Sequence, residues 1–169
     1  MEGRTVKHSA VIMSQVMMPH QANPLGNVHG GEIVKLMDTA AGVAALRHSH
    51  ANVVTARVEG INFYHPVKMG NFVTVSAYLT FVSRSTMEVR VEVVTEDIKR
   101  EKEWHALTAY FIVVALDEQG KPTEVPPLIL SSKEERELWE KGERRYQICK
   151  GEMMEGEEGY RVCREEPSF

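Results

Sequence analysis

The chain has 169 residues, enough for one domain with an appended element, and its 43% hydrophobic and 26% charged content is that of an ordinary globular protein. A formal net charge of −4 argues against broad nucleic-acid binding, and no apolar run approaches the length of a membrane span. Met1 to Lys7 has no signal-like apolar stretch, and Cys149 and Cys163 have neither metal-like nor disulfide-framework spacing, so the expected setting is a reducing cytoplasm.

Ser9 to Met18 is an apolar run containing β-branched residues and ending at Pro19, which predicts a first strand. Asn23-Pro24-Leu25-Gly26-Asn27-Val28-His29-Gly30-Gly31 is rich in turn formers and feeds a helix expected over roughly Gly30 to His48. On a wheel of about 100° per residue, Ile33, Val34, Met37, Ala41, Ala44 and Ala45 share one arc, and Asp38 falls at its border. Alanines and Gly42 keep this helix slim, as a sheet wrapping around it would require.

After Asn52 the period changes to two. Val53 to Val67 reads as one long extended run, with Gly60 a bulge within it. Alternation places Val73, Val75, Ala77, Leu79 and Phe81 on one face, and Met87, Val89, Val91 and Val93 on one face of the next strand. Ser83-Arg84-Ser85-Thr86 joins the two as a hairpin. Glu103 to Leu116 is apolar on both faces, which predicts a central strand covered on its second side. Ser132-Lys133-Glu134-Glu135 is a capping box that opens an exposed helix. The expected class is α+β: a single domain over residues 8–130, with a long, curled, antiparallel five-stranded sheet wrapped around one central helix. A C-terminal helix over 131–150 and a flexible acidic tail over 151–169 follow.

Hydrolase elbows, Walker loops and dinucleotide fingerprints are missing. The seven histidines form no His-Glu-x-x-His pair, and His48-Ser49-His50 reads as a frayed helix end rather than a metal site, so no metal is expected. Asn23, His29, Gly30, Gly31 and Asp38 remain. Two glycine amides at a helix start suit a developing oxyanion. A carboxylate further in can activate water or attack directly, and an asparagine orients either partner without changing charge. Such a set fits an activated acyl group, a thioester above all. Taken singly, Asp38 also reads as a satisfied acid, Asn23 as a turn former, His29 as a structural hydrogen-bonder and Arg84 as solvated surface.

The pattern Asn23-x-x-Gly26-x-x-His29-Gly30-Gly31-x(6)-Asp38, entering a helix ahead of four long strands, resembles the hotdog-fold acyl-CoA thioesterases, specifically the cytosolic acyl-CoA hydrolase branch. Asn62-Phe63-Tyr64-His65-Pro66-Val67, Val82-Ser83-Arg84-Ser85-Thr86-Met87 and Val125-Pro126-Pro127-Leu128 extend the resemblance over roughly Ser9 to Arg145. It implies hydrolysis of fatty acyl-CoA to fatty acid and CoA, with Asp38 as general base or nucleophile. Asn23 then comes from a neighbouring subunit, and the amide of Gly30 or Gly31, beside His29, polarises the carbonyl. Arg84, Ser85 and Thr86 match the hairpin that contacts CoA, although Ser83 stands where many relatives carry glycine. Coenzyme A is part of substrate and product, so no separate cofactor is implied. Subunits of this branch form dimers and commonly trimers of dimers, a homohexamer; no nucleic-acid or membrane partner is implied. The alternative is a non-catalytic acyl-CoA sensor or scaffold on the same fold. A hydratase pairing aspartate with histidine fits less well, because His29 precedes Asp38 by nine residues on another face of the helix entry.

Overall fold

The structure, a computed structural model, describes residues 1–155. Its elements in chain order are β1 (Arg4–Thr5), α1 (Val6–Ser9), β2 (Val11–Val16), a 3-10 turn (Pro19–Gln21), α2 (Gly30–Ser49), β3 (Asn52–Phe63), β4 (Phe72–Val82), β5 (Thr86–Asp97), a second 3-10 turn (Ile98–Arg100), β6 (Lys102–Leu116), β7 (Leu128–Ile129) and α3 (Lys133–Glu155). Five strands form an antiparallel sheet in the order β2-β4-β5-β6-β3, and β1 pairs with β7 in a small parallel ribbon.

The sheet curls around α2, as the periodicity predicts. Ile33, Met37, Ala40, Ala41, Ala44 and Ala45 of the helix are buried against Val73, Val75, Ala77 and Leu79 of β4 and Met87, Val89, Val91 and Val93 of β5. Alanine at four of those helix positions lets the sheet backbone come close. Gly60 takes φ +64°, and the β3–β6 register slips between Glu59 and Asn62, so the expected bulge is present. Extended pairing ends at Phe63 rather than Val67.

Three expectations need correction. Phe81 does not share the face of Leu79. The β4–β5 register shifts between Leu79 and Phe81, inserting Thr80 as an extra residue and turning Phe81 to the outer face. There it meets Trp139 and Tyr146 of α3 at ring-centroid distances of 5.3 and 5.4 Å. The C-terminal helix is therefore not simply exposed. It lies across the outer face of the sheet and buries Gly142 and Cys149. Arg145 reaches over the Tyr110 ring and pairs at 2.7 Å with Glu88, a carboxylate only 2% exposed. A Cβ at position 142 would stand 2.6 Å from Phe81 Cβ, so glycine there is what lets α3 seat. This helix also covers part of β6's second apolar face. That strand is interior, between β5 and β3, but the middle of the sheet is β5. Half of the expected capping box forms: Ser132 Oγ accepts from the Glu135 amide at 3.2 Å, while the Glu135 carboxylate accepts from the Ser131 amide, one residue earlier. Residues 151–155, expected in the tail, continue α3; the rest of the expected tail lies outside the described residues.

The third correction concerns His48, which is fully buried in the last turn of α2. The helix does not fray. His50 closes it in the left-handed region at φ 54°, its amide donating to the Leu46 carbonyl, and the Arg4 guanidinium donates to the Arg47 and His48 carbonyls. His48 Nε2 lies 2.8 Å from the Pro126 carbonyl oxygen, so its N–H donates there, and Nδ1 has no partner among the described residues. Burial holds this imidazole below its ordinary value of 6.5, against the opposing pull of the Pro126 bond.

Candidate active site

The loop before α2 is built by Asn23. Its Oδ1 accepts from the amides of Leu25 at 2.9 Å and Asn27 at 3.2 Å, and its own amide donates to the Asn27 carbonyl at 2.7 Å. With Oδ1 committed to the turn, the group Asn23 has left to offer is its Nδ2 donor pair. Val28 N–H to Val67 at 2.8 Å and the Asn27–Lys68 bridge fasten the loop to the turn after β3.

That anchoring sets the entry to α2. His29 is the N-cap residue; its carbonyl accepts from Glu32, and its exposed ring makes no capping bond. Gly30 and Gly31 are the first two helical residues, and neither amide has a hydrogen-bond partner among the described residues. They open beside a cleft of about 360 Å³ lined mainly by Val28, Ile33, Phe63, Tyr64, Pro66 and Val67.

Asp38 lies on the same helix, exposed, at the border of its buried face. Thr55 Oγ1 of β3 donates to Asp38 Oδ1 at 2.6 Å, which leaves Oδ2 for chemistry. The sequence reading did not select Thr55. The available signal was alternation: a polar hydroxyl on the helix-facing side of β3, between Val53 and Val58.

Asp38 is eight residues beyond Gly30, a rise of about 12 Å on an α-helix. The sheet tells the same story. Thr55 pairs with Val113, whereas Phe63 beside Gly30 pairs with Leu107, about 20 Å along the strand at about 3.4 Å per residue. Within one protomer the carboxylate and the free amides cannot flank one carbonyl group. Nor does the protomer bring Asn23 to Asp38.

The Arg84 hairpin belongs to the Asp38 end, since Thr55 pairs with Val113 and Val113 with Met87. Ser83 N–H donates to Thr86 at 2.8 Å, the Arg84 and Ser85 carbonyls accept from Val125 and Ala115 at 2.9 Å, and Arg84 lies 3.3 Å from Glu124 in an exposed ion pair. Ser85 is buried, whereas Arg84 is exposed and Thr86 half-buried. No cluster of three or more metal-ligating side chains occurs among the described residues.

A curled antiparallel sheet around one slim helix, with free amides at the helix start and a held carboxylate inside it, defines the hotdog class of thioester-processing proteins. The model of the thioesterase superfamily matches residues 25–102. Rat cytosolic acyl coenzyme A thioester hydrolase is 37% identical over 147 residues, covering 86% of this chain and 39% of the rat protein. The chain thus spans about two fifths of that relative's length. A Bacillus subtilis protein named as the uncharacterized acyl-CoA thioester hydrolase YkhA is 32% identical over 134 residues, with 79% and 78% of the two chains covered. A hexameric acyl-CoA thioesterase superposes with a TM-score of 0.86 at 27% identity, covering 90% of this chain and 98% of its own. The acyl-CoA hydrolase of Staphylococcus aureus superposes at 0.82 and 27% identity, with 90% and 93% covered, in complex with butyryl coenzyme A and coenzyme A. Alanine variants of that hydrolase at an asparagine, an aspartate and a threonine have been solved, and the three positions are spaced by 15 and 17 residues. Asn23, Asp38 and Thr55 have the same spacings (38 − 23 = 15; 55 − 38 = 17). The chain belongs to the thioesterase superfamily.

Proposed function

We propose that this chain hydrolyses acyl-CoA thioesters in an assembly no smaller than a dimer, each active site being shared between two protomers. The observation that carries this reading is the separation of the Thr55-held Asp38 carboxylate from the free Gly30 and Gly31 amides on one helix. Strand β3 is an edge strand with exposed Val54, Ile61 and Phe63, and Leu46 and Tyr64 are exposed nearby. Antiparallel pairing of that edge with its copy about a two-fold axis sets the Asp38 end of one protomer against the Gly30 end of the other.

In that site the partner's helix N-terminus polarises the thioester carbonyl through its free amides, with the exposed His29 at the rim. Asp38 Oδ2 takes a proton from water, the hydroxide adds to the carbonyl carbon, and the carbon–sulfur bond breaks. The products are a carboxylic acid and the CoA thiol. A thiolate is a good leaving group, so no dedicated acid is needed, and the proton held on Asp38 passes to the thiolate and restores the carboxylate. Asn23 from the neighbouring loop donates through Nδ2, either to the carbonyl oxygen or to the water. At the Asp38 end of the sheet, the Arg84 guanidinium, released from Glu124, and the Thr86 hydroxyl would meet CoA phosphate or pantetheine. Ser85, being buried, supports that turn from within. The hexameric relatives favour a trimer of dimers and the cytosolic rat relative a cytosolic setting.

The test is to incubate the purified chain with acyl-CoAs of several lengths and to follow free thiol. Thiol release matching acid formation is expected. Saturable binding without thiol release would instead identify an acyl-CoA sensor.

A further inference from the structure

Gly30 is in helical conformation, where any residue fits, so its lack of a side chain needs another reason. That reason is Phe63. A Cβ at position 30 would stand 3.0 Å from Phe63 Cζ and 3.6 and 3.7 Å from the two Cε atoms, so the ring tip points at the helix start. At Gly31, one residue on, nothing lies within 4 Å of such a Cβ. The ring is not there to fill the core, because Phe63 is 51% exposed. Its place is nonetheless fixed. Phe63 pairs with Leu107, the next amide, that of Tyr64, donates to Ala106 at 2.9 Å, Tyr64 stacks on His105 at 5.6 Å, and His65 Nδ1 lies 3.1 Å from the His105 carbonyl.

The ring therefore walls one side of the apolar cleft next to the amide that would receive the thioester oxygen. We infer that Phe63 is a specificity-determining residue, and that its ring admits straight acyl chains while rejecting groups branched or aromatic at the carbon beside the carbonyl. This rests on the hydrolase reading above and names the part of the substrate that the site selects. With the carbonyl oxygen on the Gly30 amide, the first acyl carbon enters the cleft at the ring tip. A branch there needs the volume the ring occupies, and the buried Ile33, Val28 and Val67 that also line the cleft leave little room to shift.

The experiment compares kcat/KM for butyryl-CoA, isobutyryl-CoA and benzoyl-CoA in wild type, Phe63→Leu, Phe63→Ala and Gly30→Ala. Both Phe63 variants should raise the ratio of branched or aryl to straight substrate by about tenfold or more, the scale of one methylene in an apolar pocket. Gly30→Ala keeps its amide N–H but drives a methyl into the ring, so it should lower kcat/KM for all three substrates. Adding Phe63→Ala to Gly30→Ala should restore most of that loss. Unchanged ratios in Phe63→Leu, or a Gly30→Ala loss that Phe63→Ala does not relieve, overturn the inference while leaving hydrolysis intact. Absence of thiol release from every substrate in wild type would instead remove the hydrolase reading itself.

Discussion

Thr55 on β3 donates its hydroxyl proton to Asp38 on α2, joining the edge of the sheet to the helix it surrounds across 2.6 Å. The bond fixes one carboxylate oxygen and leaves the other facing outward. A hydrogen bond to a charged group contributes about 1.5–3 kcal/mol. Thr55→Ala should therefore cost about 10- to 100-fold in kcat with little change in KM, and Thr55→Ser should recover most of it. Equal losses in both variants would assign Thr55 a packing role instead.

Asp38→Ala should reduce thiol release by at least about a hundredfold, the lower end of general-base contributions, with fold and assembly unchanged by circular dichroism and light scattering. Full activity in that variant would falsify the mechanism. Single turnover in heavy-oxygen water tests for direct attack by the carboxylate. Label in Asp38 marks an anhydride opened at the aspartyl carbon, whereas label confined to the product acid means that water added at the acyl carbon.

Subunit mixing tests the shared site. Asn23→Ala and Asp38→Ala should each be nearly inactive alone. After statistical exchange, half the dimers are mixed and each holds one site with both residues intact, so about a quarter of the wild-type rate should return. Mixed dimers verified by mass spectrometry yet still inactive would mean that each site takes Asn23 and Asp38 from the same protomer, and would overturn the shared site.

The Glu88–Arg145 pair governs how α3 stays on the sheet. Thr80 Oγ1 donates to Glu88 at 2.6 Å, and Arg145 donates through Nε and an Nη at 2.8 and 2.7 Å. Arg145→Ala leaves a carboxylate buried without its cation, a loss of about 3 kcal/mol in urea unfolding at fixed protein concentration. Replacing both residues by leucine should cost less than Arg145→Ala alone. The reverse order would mean that the pair contributes more than its desolvation costs.

His48 predicts an acid limit. Its imidazole is held below 6.5 in the folded chain, so between that value and its lowered folded pKa the unfolded chain binds the extra proton. Stability is therefore full above pH 6.5 and falls as pH drops toward the folded value, with a slope of up to about 1.4 kcal/mol per pH unit. His48→Gln should flatten that slope while lowering stability at neutral pH. An unchanged slope would shift the acid sensitivity to other groups.

Most of the sheet and helix were legible because their periods are clean: two along Val73 to Leu79, and about 3.6 along Ile33 to Ala45. Legibility ended where one residue breaks the period. The Thr80 bulge reverses Phe81, and nothing local in Leu79-Thr80-Phe81 distinguishes a bulged strand from a regular one. The role of α3 was hidden for a related reason. Its sheet-facing stripe interleaves Trp139, Tyr146 and Cys149 with Gly142 and Arg145, which break the apolar pattern, and its partner Glu88 looks like an outward-facing strand residue. In the candidate site the motif pointed to Asn23, Gly30 and Asp38 but not to Thr55, whose relevance is a contact 17 residues away. The ribbon of β1 with β7 depends on two-residue strands more than a hundred residues apart, too short for any pattern to register.

The edge strand β3 has a last consequence. An unpaired edge bearing half-exposed apolar side chains is costly in water, and under the proposed shared site a chain whose catalytic groups meet only across that edge has no active form by itself. Specific activity should then depend on how much protein is present: constant above the dissociation constant of the pair, and falling with dilution below it. Saturating acyl-CoA, by bridging the two protomers, should move that threshold to lower protein concentration.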